Sequence, residues 1–358
     1  MQFTLVSTVF NEMSRLDRTI TDIEAQTLKP SEIVITDAGS TDGTYIRLMQ
    51  WQTSSTIPIK LLQEKGCNVA RGRNLAIEAA QHELIVSTDF GCRFHPKWLE
   101  SLVEPFKIQE LQIISQKEDA IQIVGGAFTI KENEIETKAA KADYILQRGY
   151  PVILDDYFSV SSRSIAYKKN VWEIIGGYPE WLTLAADDTI FWKLAKKHGF
   201  TYTFVEQPYV YWGRHKTDKA FAKEAFRYGL GDGESRINYR NFWSNLIETG
   251  MRYGWYINLA CILICLLLPS LSIQCTQYIL LILFSPGLRS YYNAFKNWKT
   301  VKSDKYNFSI FLHALWQLEL SRQMYLKGYI RGLLDKDPQK AEGRSKLWEV
   351  LNAVEETK

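Results

Sequence analysis

A chain of 358 residues, 46% apolar and 23% charged, holds enough material for a packed core, as two domains or one domain with an appendage. A net charge of +3 with no basic stripe argues against nucleic acid as a partner. The cysteines (Cys67, Cys92, Cys261, Cys265 and Cys275) are odd in number, contain no zinc-spaced pair and fit a reducing compartment.

The N-terminus, Met-Gln-Phe-Thr-Leu-Val-Ser, lacks the basic and long apolar regions of a signal peptide, so a cytoplasmic N-terminal part is expected. Residues 3–9 read as a strand that ends at Phe10-Asn11-Glu12. Leu16, Ile20, Ile23 and Leu28 give a helical pattern closed by Pro30. Residues 33–36 are a short β-branched run, the pattern of a strand buried on both faces. This β-α-β unit predicts a right-handed parallel crossover. Asn11, Glu12 and Asp37 then share the carboxyl edge of the sheet, where open α/β folds bind ligands.

The stretch Asp37-Ala38-Gly39-Ser40-Thr41-Asp42-Gly43-Thr44 is the centre of the pattern. Asp37 at a strand end accepts hydrogen bonds from a base or ribose. Asp42 does the same or caps the helix that opens at Thr44. Taken alone, the stretch is equally a cap with turn chemistry.

No G-x-G-x-x-G and no P-loop is present. Arg71 and Arg73 open a helix carrying Leu75, Ile77, Ala79 and Ala80; they meet a diphosphate or are solvated charges. Residues 84–88 form another buried strand, ending in Asp89-Phe90-Gly91-Cys92. Asp89 can supply one ligand to a hard cation that bridges phosphates. A helix is expected from Trp98, a strand over 121–127 broken at Gly125-Gly126, and over 131–150 a polar, mixed stretch that is helical or a mobile loop. Residues 159–166 read as a strand leading to a helix at 170–175 and then to Gly176-Gly177-Tyr178-Pro179-Glu180. Asp187 and Asp188 precede Ile190, Phe191, Leu194 and Ala195 at helical spacing. Two acids there are dipole-favoured caps, or one is a general base on a rigid helix. Strands at 200–205 and 209–212 lead to Gly213-Arg214-His215-Lys216-Thr217, where His215 reads as a surface or phosphate neighbour.

Ser7-Thr8-Val9-Phe10-Asn11-Glu12, the 37–44 stretch, Asp89-Phe90-Gly91, Gly176-Gly177-Tyr178-Pro179-Glu180 and Asp187-Asp188 follow in one order over residues 3–217. Together they resemble a family 2 glycosyltransferase. The resemblance implies an α/β GT-A fold: a Rossmann-like, mostly parallel sheet flanked by helices. It implies that Thr8, Glu12 and Asp37, with Asp42, Arg71, Arg73, Asp89 and Arg214, bind a nucleotide-sugar donor. Asp188 matches the catalytic base, with Asp187 in the position of the usual Glu. Trp212 and Arg214 lie where members carry an acceptor- or phosphate-side pair, here in a different order. Asp89 matches the first acid of the D-x-D motif that holds Mg2+ or Mn2+, but Gly91 replaces the second. The implied reaction inverts the anomeric carbon in one displacement.

The remainder is read as an appendage to a catalytic domain at 1–217. Residues 218–250 interleave Phe221, Phe226, Tyr228, Phe242 and Trp243 with Lys223, Arg227, Arg236 and Arg240, as interfacial helices do. Residues 251–290 contain a nearly uncharged run from Trp255 to Phe284, interrupted at Pro269. Each half is shorter than the about 20 residues that a span needs. A re-entrant hairpin, two short spans or one kinked span stay open, as does a buried helical pair of a soluble protein. Basic flanks favour both ends on the cytoplasmic side. Residues 291–358 are amphipathic helix and a solvated, Lys/Glu-rich tail. These features predict a membrane-associated transferase, its catalytic domain cytoplasmic, acting on a lipid-linked or envelope-glycan acceptor in polysaccharide biosynthesis. The alternatives are a non-catalytic sugar-nucleotide-binding or scaffold subunit and, less supported by Phe10-Asn11-Glu12, a nucleotidyltransferase. A glycoside hydrolase would need two flanking carboxylates, and nothing points to such a pair.

Overall fold

The structure, a computed structural model, describes residues 1–112, 120–154, 158–268 and 275–353. The strands are β1 (Thr4–Val9), β2 (Glu32–Asp37), β3 (Ile59–Gln63), β4 (Leu84–Ser87), β5 (Arg93–Phe94), β6 (Ile123–Thr129), β7 (Ile165–Lys168) and β8 (Tyr202–Tyr211). The helices between them are α1 (Met13–Glu24), α2 (Thr44–Ser54), α3 (Val69–Glu78), α4 (Trp98–Gln112), α5 (Lys138–Leu146), α6 (Lys169–Ile175) and α7 (Asp187–Lys197). After the last strand come α8 (Asp218–Ser235), α9 (Tyr239–Leu267), α10 (Cys275–Phe284), α11 (Arg289–Val301), α12 (Phe308–Leu333) and α13 (Pro338–Asn352). Two compact units result. The first comprises described residues of Met1–Glu134, Pro151–Arg214 and Lys336–Lys358; the second, those of Ile135–Tyr150 and His215–Asp335.

The first unit is built on a sheet of order β3-β2-β1-β4-β7-β6-β8-β5. β3, β2, β1 and β4 are mutually parallel, β7 runs against both β4 and β6, β6 and β8 are parallel, and β5 runs against β8. The sheet is therefore mixed and mostly parallel, with helices on both faces. Alternation along the strands divides the core. Leu5, Ile33, Ile35 and Val86 face Leu16, Ile20, Leu48 and Trp51, whereas Val6, Val34 and Ile85, with Tyr167 of β7 beside Ile85, face Ala76, Ile77 and Phe191. Each such side chain contributes about 1.5–3 kcal/mol on burial, which fixes the register. That register sets Val9 beside Asp37 and Asp37 beside Gln63, bringing their loops to one edge.

Several elements depart from the sequence pattern for identifiable reasons. β3 escapes a reading by apolar runs because it is an edge strand, with Lys60 and Gln63 exposed. Gly125 and Gly126 do not break β6; they lie inside it and let neighbours approach. A Cβ on Gly126 would fall 2.0 Å from Ser164 Oγ, and one on Gly125 2.7 Å from Val160 Cγ2. The strand expected from 159 begins at Ile165, since Ser164 N donates to Ser161 O (3.0 Å) in a turn. The two strands expected over 200–212 are one, β8, whose pairing with β6 shifts register between Gly126 and Phe128. The polar tail is not solvated throughout. Asp337 caps α13 through Gln339 N (2.9 Å), Leu347 is buried, and Lys340 Nζ donates to Thr183 Oγ1 (2.8 Å).

The second unit is helical. α8 and α12 cross so closely that a Cβ on Gly328 would lie 2.2 Å from Phe226 O. Gln317 Nε2 of α12 donates to Ala139 O of α5 (3.0 Å). Among the described residues one helix, α9, is long and apolar enough to cross a membrane. The interruption expected at Pro269 lies outside the described residues.

Candidate active site

At the carboxyl edge of β1 and β2, two loops are joined by short polar side chains. Asn11 N donates to Ser40 Oγ (2.9 Å) and Asn11 Oδ1 accepts from Thr41 N (2.9 Å). Glu12 N donates to Thr44 Oγ1 (2.9 Å) and Met13 N to Asp42 Oδ2 (3.0 Å). Asp42 Oδ1 also accepts from Thr44 N and Oγ1. Burial works against its charge, but the Thr44 and Met13 hydrogen bonds win and hold it below the usual carboxylate range. Asp42 thus ties the loops and accepts from the first N–H of α2, whose N-cap residue is Gly43. Asp37 is buried and its Oδ1 accepts from Gly39 N, Ser40 N and Gln63 Nε2, all at 3.0 Å. Thr8 Oγ1 donates to Thr36 O (3.2 Å). Burial pushes the Glu12 carboxyl up to about 7; Arg15 opposes this, and Asp89 and Asp42 add to it.

The acids at the ends of β4 and α7 are brought together by arginines. Arg73 on α3 has a side chain only 4% exposed, and it donates through Nη1 to Asp187 Oδ2 and through Nη2 to Asp89 Oδ1. Its guanidinium also lies 5.4 Å from the Tyr178 ring centroid. Arg163 Nε sits 3.6 Å from Asp89 Oδ2, and Arg163 Nη1 donates to Ser161 Oγ (2.9 Å). Ser161 Oγ in turn donates to Asp188 Oδ2 (3.2 Å). Two bridges therefore run from Asp89 to the acid pair, one through Arg73 to Asp187 and one through Arg163 and Ser161 to Asp188.

The two acids of the pair differ. Asp187 is buried; burial pushes its carboxyl up, Arg73 pulls it down, and the Asp188 and Asp89 charges raise it. Asp188 is half-buried at the first turn of α7, its Oδ1 accepting from Thr189 N (2.8 Å). Ala186, with φ at 75°, turns the chain so that both acids start the helix. At Asp89 burial disfavours charge, but Arg73 and Arg163 outweigh it and keep the carboxyl below its ordinary range.

Trp212 is stacked between two cations, Arg163 at 4.1 Å and Arg214 at 4.3 Å from its ring centroid. Arg71 points elsewhere: it forms a fork on Glu64 (3.1 and 3.2 Å) and reaches Glu180 at 3.5 Å. His215 pairs with Glu224 (3.3 Å). Three residues that pattern reading did not single out hold the site. Arg163 and Ser161 form the second bridge, and Asn74 holds the 176–180 loop by donating to Tyr178 O and accepting from Tyr178 N and Trp172 Nε1. Of the three, only Asn74 carries a signal in the sequence, its place next to Arg73 at the start of a helix.

Asp89 is already paired with two guanidinium groups, and position 91 is a glycine with φ at 94°. A Cβ on Gly91 would lie 2.9 Å from Glu12 Oε2, so Glu12 fills the space a second acid would take. Among the described residues no cluster of three or more His, Cys, Asp or Glu side chains is placed to hold a metal. The second acid of the D-x-D pattern is thus missing, and in this structure the positive charge opposite Asp89 comes from Arg73 and Arg163.

Residues 4–167 match the family model described as Glycosyl transferase family 2. Among solved structures, the chain is similar to the mannosyltransferase PcManGT from Pyrobaculum calidifontis, solved with GDP-Man and Mn2+. The identity is 15% and the TM-score 0.51, with 94% of this chain and 88% of that one covered. It also matches S. aureus TarS 1–349 at 13% identity and a TM-score of 0.44 (93% and 92% covered). The TarS complex with UDP-GlcNAc gives 12% and 0.45 (92% and 91% covered). No curated protein matches the sequence.

Proposed function

We propose that this glycosyltransferase, whose residues 4–167 are a family 2 domain on the GT-A fold, inverts the anomeric centre of a nucleotide sugar with Asp188 as general base. The observation that carries the reading is the half-buried Asp188 carboxylate, held by Ser161 and Thr189 on a rigid helix end and bridged to Asp89 through Arg163. Asp188 takes the proton of the acceptor hydroxyl as its oxygen bonds to the anomeric carbon. The bond from that carbon to the nucleoside diphosphate breaks, and both its electrons leave with the phosphate. A positioned carboxylate contributes about 10²–10⁴-fold to such a step. Thr8, Glu12 and Asp37 receive the nucleoside; Asp42 shapes their loops. Arg163 and Arg214, stacked on Trp212, meet the charge that grows on the diphosphate. Arg73 and Asp187 set the positions of Asp89 and Asp188 rather than touching the donor, and Arg71 supports the 176–180 loop. No step is assigned to Mg2+ or Mn2+.

The acceptor is a lipid-linked or envelope glycan met at a membrane surface, with the catalytic unit in the cytoplasm. The exposed apolar α9 supports this part of the reading. Gly91 and the arginine-bound Asp89 favour a second reading, a sugar-nucleotide-binding scaffold subunit. Calorimetry separates the two. UDP-, GDP- and dTDP-sugars are titrated into wild type and Asp37→Asn, with and without Mn2+ or Mg2+. One donor is expected to bind wild type without added cation and to bind Asp37→Asn at least tenfold more weakly. That donor must also be slowly hydrolysed; binding without hydrolysis or transfer would support the scaffold. Binding only with a cation would contradict the arginine account.

A further inference from the structure

We infer that α9 and α10 form a hairpin that enters a phospholipid bilayer from one face and returns to that face without crossing it. The inference rests on the membrane association proposed above and is independent of the transfer chemistry. The first half of α9 belongs to a packed bundle. Arg252, with no exposed surface, pairs with Glu319 (Nε to Oε1, 2.7 Å) and donates to Gly287 O (2.9 Å) and Ser290 Oγ (3.2 Å). Glu248 accepts from Ser290 N (2.9 Å) and pairs with Arg322 (3.2 Å). This charged floor joins α9, α11 and α12 through ion pairs and hydrogen bonds within the unit. Glu248, Glu319 and Arg322 keep 15–18% of their side chains exposed, so hydrocarbon drawn below this level would desolvate them.

Beyond the floor the character reverses. From Gly254 onward Asn258 and Ile262 are the buried residues of α9, while Ile257 is 66% and Leu267 79% exposed. On α10, Ile282 is 75% exposed. The two arms run antiparallel. A Cβ on Gly254 would lie 3.1 Å from the Phe284 ring, and Asn258 Nδ2 donates to Gln277 O. The α10 chain thus comes back to the level at which α9 left the floor. The α9 arm, Gly254 to Leu267, is about 20 Å long and α10 about 15 Å, at 1.5 Å per residue. Neither reaches across about 30 Å of hydrocarbon.

The rim of the hairpin suits headgroups rather than another protein. Exposed Tyr253, Tyr256 and Tyr292 lie near its feet, the kind of side chain that collects at membrane interfaces. Residues 285–306, which follow α10, carry five basic residues (Arg289, Lys296, Lys299, Lys302, Lys305) and one acid, Asp304. That balance complements anionic lipid.

The test uses the full-length chain with phosphatidylcholine vesicles, with and without phosphatidylglycerol. Wild type is expected to float with the vesicles, several-fold more with phosphatidylglycerol, and Leu263→Glu/Leu267→Glu to stay at the bottom with nucleotide binding unchanged. In a cysteine-free background, an impermeant maleimide outside sealed vesicles is expected to label Arg240→Cys and Lys299→Cys, while the same reagent trapped inside leaves Leu268→Cys unlabelled. Labelling of Leu268→Cys from inside would mean a span and would overturn the hairpin. So would failure of the wild type to float, or a dimer that covers this face without lipid or detergent. Nucleotide binding measured on the same samples keeps these failures separate from failure of the catalytic reading.

Discussion

Arg73→Met tests whether the arginine bridge organises the acids. The side chain is nearly inaccessible and donates to both Asp89 and Asp187. Met keeps most of the volume but removes the charge. Asp89 retains Arg163 at 3.6 Å, whereas buried Asp187 keeps no cationic partner among the described residues. Breaking a buried pair on one side costs about 3–5 kcal/mol, because the surviving charge stays desolvated. For a unit of 150–250 residues, each kcal/mol moves Tm by about 2–4 °C, so a loss of about 6–20 °C is expected. Thermal unfolding followed by near-ultraviolet circular dichroism reads it. Arg73→Met/Asp187→Asn should regain part of the loss, since a neutral amide no longer needs the guanidinium. A single-variant shift under about 2 °C would refute the reasoning.

Ser161→Ala removes one hydrogen bond to Asp188 and should lower kcat about fivefold, equivalent to about 1 kcal/mol, with the donor Kd unchanged. Steady-state kinetics at saturating donor would show this as a kcat effect alone. Arg163→Gln should weaken nucleoside diphosphate binding about 10–100-fold while leaving the nucleoside itself unaffected, as loss of a charged hydrogen bond predicts. Calorimetry with the two ligands makes the comparison. Glu12 stays protonated in the folded chain up to about pH 7, whereas the unfolded carboxyl ionises near its ordinary 4.5. Stability should therefore fall as pH rises through that window, and Glu12→Gln should flatten the fall in Tm measured between pH 4.5 and 7.5.

The half of the site nearest the N-terminus was legible because strands buried on both faces leave continuous β-branched runs. Asp37 and Asp89 stand out at the ends of such runs, and Asp187 and Asp188 at a helix start. The second bridge was not legible. Arg163 lies in a turn before β7 and meets Asp89 across 74 positions of sequence, a pairing set by β4 lying against β7. Edge strand β3 carries too few buried residues to mark itself. The glycines of β6 read as a break because their reason, the approach of Ser164 and Val160, lies in a neighbouring segment. Arg71 and Arg73 look equivalent in sequence, yet two positions along a helix turn them about 200° apart, one to Glu64 and Glu180 and the other to the acids.

The most direct test of the central claim is single-turnover transfer by Asp188→Asn beside the wild type, with the donor that calorimetry selects. The account predicts an unchanged donor Kd and a rate lower by about 10²–10⁴-fold. A variant that binds donor and transfers at the wild-type rate would contradict it, and Asp188 would be no more than an acid favoured by the dipole in the first turn of α7.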